Sequence, residues 1–231
     1  MDIIRKIAVF GDSIFKGLQL DANQRYRIIN EIDTEELSRR HSLSINNFAK
    51  IGSTITKGIS ILQKRLDSGD EFDVAVMDYG GNDCDFIWAE IAEAPEAEHF
   101  SKTPIDTFIK SYHSMIETLR ERGVRPILAT LPPIDPQRFF DWNTRGLNRE
   151  NVLKWLGEIT TIYRFQEMYS RTVEKIAADT NCLLVDLRGA FLSHRRIDHL
   201  LCADGTHPNS AGQRIITEAF DMFAAANRVY A

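Results

Sequence analysis

The sequence predicts an α/β fold of three layers, in which a parallel sheet of five strands is covered by helices on both faces. Three observations carry this. Short apolar runs alternate with helical periodicities along the whole of the 231 residues. Every connection between successive apolar runs is long enough to hold a helix, as parallel pairing requires. No internal repeat, low-complexity tract or linker-like break interrupts the pattern, so residues 1–231 read as a single domain.

The elements follow in order. Lys6 to Phe10 is an apolar run ending on Gly11, read as a buried strand. Gln24 to Arg40 carries Ile28, Ile32 and Leu37 at helical spacing with charges between them, which predicts a helix. Leu43 to Ala49 reads as the second strand. Thr54 to Leu66 places Ile55, Ile59, Leu62 and Leu66 on one helical face. Phe72 to Tyr79 is the third strand, closed by Gly80 and Gly81. Asn82 to Lys102 reads as a loop rich in aromatics and acids.

Thr103-Pro104 predicts a helix start, with Thr as N-cap and Pro at the first helical position. That helix runs to about Arg122 and stops at Gly123. Arg125 to Thr130 is the fourth strand, ended by Pro132-Pro133. A polar and aromatic insert follows through about Leu147. Asn148 to Asp179 is helical in pattern, with a break expected between Gly157 and Thr161. Cys182 to Asp186 is the fifth strand, and Pro208 to Asn227 the closing helix.

Composition narrows the function. Apolar residues make up 43 % of the chain and charged residues 26 %, as in an ordinary globular protein. A net charge of -5 provides no general attraction to nucleic acid or to an anionic membrane surface. No apolar run approaches the roughly 18 residues of a membrane span, so no stable membrane association is expected. The three cysteines Cys84, Cys182 and Cys202 lack metal-type spacing and read as reduced thiols. The first strand begins at about Arg5, which leaves no room for a removable leader. These points predict a cytoplasmic location.

Ligands of such sheets bind beyond the carboxyl ends of the strands. The residues there are Gly11-Asp12-Ser13, Gly52-Ser53, Gly80-Gly81-Asn82-Asp83 and Leu131-Pro132-Pro133; the fifth strand leads to Ala203-Asp204-Gly205-Thr206-His207-Pro208-Asn209. Singly these residues have plain readings. Ser13 is placed to cap a following helix, Gly52 to make a turn, and His207 to precede a turn proline. Together they supply what acyl transfer requires: a hydroxyl nucleophile, a base, a carboxylate to orient the base, and N–H donors for an oxyanion. His207 is the candidate base. Asp204, three residues earlier, is near enough in one loop to hold its tautomer. Gly52 offers a backbone N–H and Asn82 an amide.

The four blocks "GDS" at 11–13, the glycine at 52, "GGND" at 80–83 and "DGTHPN" at 204–209 resemble those of the SGNH hydrolases, the GDSL-type lipases and esterases, and stand in that family's order. The family's first block is often followed by Leu; here Ile14 takes that place. The resemblance implies a flavodoxin-like sheet and a serine hydrolase of carboxylic esters. Ser13 would be the nucleophile, His207 the base and Asp204 its partner. The oxyanion hole would comprise the Ser13 and Gly52 N–H groups and the Asn82 side chain. No metal or organic cofactor is implied, and the expected partner is a small-molecule ester. A short acyl group is favoured, acetyl on a carbohydrate among the options; lysophospholipids and thioesters belong to the same superfamily. Two further classes are a nucleotide-binding module and a non-catalytic binding relative. The first lacks support, since "GDSIFKG" has neither G-x-G-x-x-G spacing nor a G-K-[ST] ending.

Other residues admit two readings. Phe86, Trp88, Phe139, Phe140 and Trp142 follow strand ends; they line a substrate pocket or stack on sugar rings, or else pack the inserts onto the domain or form a dimer contact. Asp12 either holds the turn before Ser13 or serves as a simple cap. Asp78, inside an apolar strand, either braces the loops near Ser13 or faces water at the strand end. His41, His99, His113, His194 and His199 show no metal spacing.

Overall fold

The computed structural model describes residues 5–29 and 43–226. Its strands are β1 Lys6–Gly11, β2 Leu18–Leu20, β3 Tyr26–Ile28, β4 Ser44–Asn47, β5 Val74–Asp78, β6 Arg125–Ala129 and β7 Leu183–Val185. Its helices are α1 Ile55–Asp67, α2 Trp88–Glu93, α3 Ile105–Glu121, α4 Pro136–Asn143, α5 Arg149–Leu156, α6 Thr160–Asp179, α7 Leu187–Leu192 and α8 Ser210–Ala226, with a 3₁₀ turn at Ile197–His199.

Five strands form one parallel sheet in the order β4-β1-β5-β6-β7. Counted along the chain, these are second, first, third, fourth and fifth. That is the flavodoxin-like order, whose switch point lies between β1 and its neighbour β5. Residues ending these two strands therefore face one crevice, and Gly11 pairs directly with Asp78.

Strand periodicity sorts the core into two layers. Ala8, Phe10, Ala75 and Met77 point to the face covered by Leu62 of α1, Phe108, Tyr112, Met115 and Leu119 of α3, and Tyr169 and Val173 of α6. Ile7, Val9, Val74 and Val76 point to the other face, against Phe191 of α7 and Ile216 and Phe220 of α8. A third cluster joins Phe86, Trp88 and Ile91 to Ile134, Phe140, Val152 and Leu156.

The five predicted strands are all present, each within a few residues of its expected limits. The break in the long helix falls at Gly157, with φ of 74°, a left-handed conformation that glycine adopts freely. Three expectations need correction. The segment from Gln24 does not begin a helix: Tyr26–Ile28 pairs antiparallel with β2. The Asp21 carboxylate accepts from the N–H groups of Asn23 at 2.9 Å and Arg25 at 3.0 Å, which closes a turn and starts a hairpin instead. The remainder of that predicted helix, residues 30–40, lies outside the described residues. The inserts read as irregular contain α2 and α4, short helices stabilised by burial in the third cluster. The third concerns the start of α3. Pro104, not Thr103, is its N-cap, because Thr103 is buried and its N–H donates to the Asp83 carbonyl at 3.0 Å.

Helix α1 approaches the end of β5 through Gly58. A Cβ there would lie 2.4 Å from Cζ of Tyr79, whose ring is fully buried. Gly58→Ala is expected to destabilise the fold by about 1–3 kcal/mol in a denaturant titration; unchanged stability would show that Tyr79 can move.

Candidate active site

The crevice at the switch point contains a cavity of about 180 Å³. Its walls come from both ends of the chain and from the inserts between.

Ser13 sits in the tight turn after β1. Asp12 holds this turn: one carboxylate oxygen accepts from the Ile14 N–H at 2.9 Å, and its carbonyl accepts from the Lys16 N–H at 3.1 Å. No described helix follows Ser13 directly, so its hydroxyl does not cap one. It meets His207 Nε2 at 2.9 Å. His207 Nδ1 lies 2.7 Å from the Asp204 carboxylate, whose other oxygen accepts from the Thr206 and His207 N–H groups at 3.0 and 3.1 Å. A carboxylate on Nδ1 places the imidazole proton there and leaves Nε2 as acceptor toward Ser13.

The His207 loop is fastened at both ends. The Cys202 N–H donates to the His207 carbonyl at 2.8 Å, and Leu201 bridges to Pro208. Gly205, with φ of +73°, packs against the start of α4: a Cβ there would meet the Asp135 carbonyl oxygen at 2.6 Å. The Gly205 carbonyl in turn accepts from the Asp135 N–H at 2.8 Å. Helix α4 thus fixes the loop that carries His207.

Asn82 also stands on the cavity wall. Its Nδ2 donates to Asp12 at 2.8 Å, and a primary amide keeps a second N–H free for another acceptor. Gly52 differs. It is exposed, with φ of +69°, on the turn after β4, and it is not among the residues lining this cavity. Its turn is tied to the same strand end, where the Lys50 N–H donates to the Gly11 carbonyl at 3.0 Å.

Of the five aromatics singled out, Phe86, Trp88, Phe139 and Trp142 line the cavity. Phe140 does not. It follows Phe139 on α4, so it points about 100° away, into the third core cluster. Leu131, Pro132, Ile134, Ile162, Phe165 and Gln166 complete the wall. Behind it the buried Arg188 donates to the Leu131 carbonyl at 3.1 Å and to Gln166 Oε1 at 2.7 Å, and pairs with Glu167. Its apolar-helix setting carried no charge pattern from which this could be read.

Four carboxylates are buried here. Burial raises Asp12, opposed by the Ile14 N–H, His207 and Asn82. Asp78 lines the cavity and does not face water. Burial, then the neighbouring Asp12 charge, pushes it well above the usual range, and its Oδ2 has no hydrogen-bond partner. Asp83 is raised to about 6, first by burial. For Asp204 burial raises the carboxyl, but the hydrogen bond and charge of His207 together with the Thr206 and His207 N–H groups outweigh it, and the carboxyl lies below its ordinary value. The three cysteines are free thiols, and the Cys202 sulfur accepts from the Leu20 N–H at 3.5 Å. No group of three or more His, Cys, Asp or Glu among the described residues is placed to hold a metal ion. No helix among them is long and apolar enough to cross a membrane.

A flavodoxin-like sheet with a Ser-His-Asp chain at its switch point defines the serine-hydrolase class. Comparison gives the family. The model of the GDSL-like lipase/acylhydrolase family matches residues 7–220, and the chain belongs to that family. It is a carboxylic ester hydrolase of the SGNH type. Solved structures share the fold at low identity. A lipase/acylhydrolase from Enterococcus faecalis superposes with a TM-score of 0.66 at 20 % identity, covering 97 % of each chain. A variant of an acetyl xylan esterase from Geobacillus stearothermophilus gives 0.67 at 20 %, covering 96 % of each. An α/β hydrolase from the metagenome of Lake Arreo, Spain, gives 0.67 at 20 %, covering 97 % of each. No curated protein sequence matches the chain.

Asp83 also caps α1 from across the site, accepting the Ile55 N–H at 3.0 Å. Because its folded-state pKa is raised, its stabilising effect is complete below the unfolded value near 3.8 and is lost as pH rises through about 6. Asp83→Asn keeps the acceptor. Relative to wild type it should gain roughly 2–3 kcal/mol between about pH 4 and pH 6, measured by denaturant unfolding. A constant difference across that window would show that Asp83 is not raised.

Proposed function

We propose that Ser13, His207 and Asp204 hydrolyse short-chain acyl esters through an acyl-enzyme, with acetyl groups on carbohydrate alcohols the favoured substrates. The observation that carries the reading is the continuous hydrogen-bonded chain from Ser13 Oγ through His207 to Asp204, at 2.9 and 2.7 Å.

The steps follow from this geometry. Ser13 Oγ attacks the ester carbonyl while His207 Nε2 takes its proton, and Asp204 stabilises the imidazolium that forms. The carbonyl oxygen becomes an oxyanion, which accepts from the Ser13 N–H and the free N–H of Asn82. Asp12 orients that amide by holding its other N–H at 2.8 Å. The resemblance assigns Gly52 as a further donor, and its place off the cavity wall makes it the donor with least geometric support. Collapse of the intermediate breaks the bond to the leaving alcohol, which takes the proton from His207. Water then attacks the acyl-Ser13 carbonyl, its proton passing to His207 and on to Ser13 Oγ as the acid is released.

Cavity size supports the short acyl group. A cavity of about 150 Å³ lined by apolar side chains holds one benzene ring. At about 180 Å³ this one has room for a fragment of similar size. The likeness to an acetyl xylan esterase fold agrees with this direction.

Ser13→Ala is expected to abolish hydrolysis of p-nitrophenyl acetate with the fold intact by circular dichroism. Asn82→Ala should lower kcat by about 10²–10³. Wild-type kcat/KM should fall at least about tenfold from the butyrate to the decanoate ester. Retained activity in Ser13→Ala would overturn the catalytic assignment. A preference for decanoate would move the substrate to lysolipids or long-chain thioesters.

A further inference from the structure

We propose that Tyr26 is a positioning residue for the base: its ring holds the His207 imidazole in line between Ser13 and the leaving group of the substrate. This rests on the serine-hydrolase reading above. It concerns a residue that the helical periodicity of residues 24–40 conceals.

The Tyr26 and His207 rings stand edge to face, with centroids 5.4 Å apart at 69°. Trp142 meets the same tyrosine at 6.0 Å and 70°. The Arg145 guanidinium lies 3.7 Å over the Trp142 ring and closes the stack from outside. Tyr26, Trp142 and His207 all line the cavity.

The support behind Tyr26 is tied to both halves of the site. It pairs with Leu20 in the β2–β3 hairpin. The Leu18 N–H donates to the Ser13 carbonyl at 3.0 Å, so the hairpin grows directly from the nucleophile's turn. The Leu20 N–H reaches the Cys202 sulfur in the segment that leads to the His207 loop. The Ile29 N–H donates to the Gly17 carbonyl at 2.9 Å and closes the hairpin base. One small element therefore spans from the nucleophile to the base and leans an aromatic ring on the latter. Tyr26 is 43 % exposed, and its hydroxyl is raised by partial burial and then by the Asp204 charge.

A base that must move a proton from Ser13 Oγ to a leaving oxygen loses rate when its ring can tilt. The loss depends on how much the leaving group needs that proton. A p-nitrophenolate leaves without help, whereas an alkoxide does not. A merely structural residue would affect both esters alike.

The test compares kcat/KM, which reports acylation, for ethyl acetate and p-nitrophenyl acetate. Tyr26→Ala should lose about tenfold or more on ethyl acetate and no more than about threefold on p-nitrophenyl acetate. Tyr26→Phe, which keeps the ring, should remain within about twofold of wild type on both. Tyr26→Leu, checked by melting temperature, provides the same comparison if Tyr26→Ala folds poorly. Equal losses on the two esters, or no loss, would overturn the role of Tyr26 while leaving the hydrolase reading in place. A wild type that turns over neither ester would remove both.

Discussion

The hydrogen bond between Ser13 and His207 joins residues 194 positions apart, and the rest of the structure is arranged to make it. Neither partner is reactive alone. A serine hydroxyl is a poor nucleophile unless a base takes its proton, and the base is useful only while its tautomer and angle are held. Bringing the two chain ends together at this accuracy costs conformational entropy. Burial across both faces of the sheet offsets that cost. Strand β1 delivers Ser13, and α8 packs on the same sheet just after the loop that delivers His207. The flavodoxin-like order puts β1 beside β5, so Asn82 arrives at the same crevice from the third strand.

The site gathers negative charge in an apolar setting, which carboxylates tolerate only with partners. Each partner found here also shapes the site. Asp204 is held ionised by His207, which it orients. Asp12 is satisfied by the Ile14 N–H and Asn82, and thereby fixes both the turn that carries Ser13 and the Asn82 amide. Asp83 is satisfied by the first N–H of α1 and so links the GGND loop to the helix that follows Gly52. Asp78 is the exception. Burial and the Asp12 charge both favour its neutral form, which is the form an apolar wall accepts.

Much of this was legible in the sequence because strong patterns survive folding. Strands β1, β5 and β6 are apolar runs closed by glycine or proline, and the ligands of such a sheet gather where its strands stop. Ser13, Asn82, Asp204 and His207 were found by that route, and the structure brings them to one crevice. What escaped was set by tertiary context. Tyr26 lies in a stretch whose apolar spacing fits a helix, while the Asp21 turn makes it a strand. Phe139 and Phe140 are indistinguishable as sequence neighbours, yet only one faces the cavity. The α2 and α4 inserts are short helices that exist because Trp88, Ile91 and Phe140 find a shared core. Arg188, deep behind the cavity, could not be told from a surface arginine until Gln166 and Glu167 were placed beside it.

The most direct test of the account is labelling of the folded protein with a fluorophosphonate, followed by peptide mapping by mass spectrometry. The probe needs no assumption about acyl group or alcohol. The account predicts one adduct, on Ser13, and its loss in His207→Ala. An unlabelled protein, or an adduct on another serine, would contradict the claim that His207 and Asp204 activate Ser13.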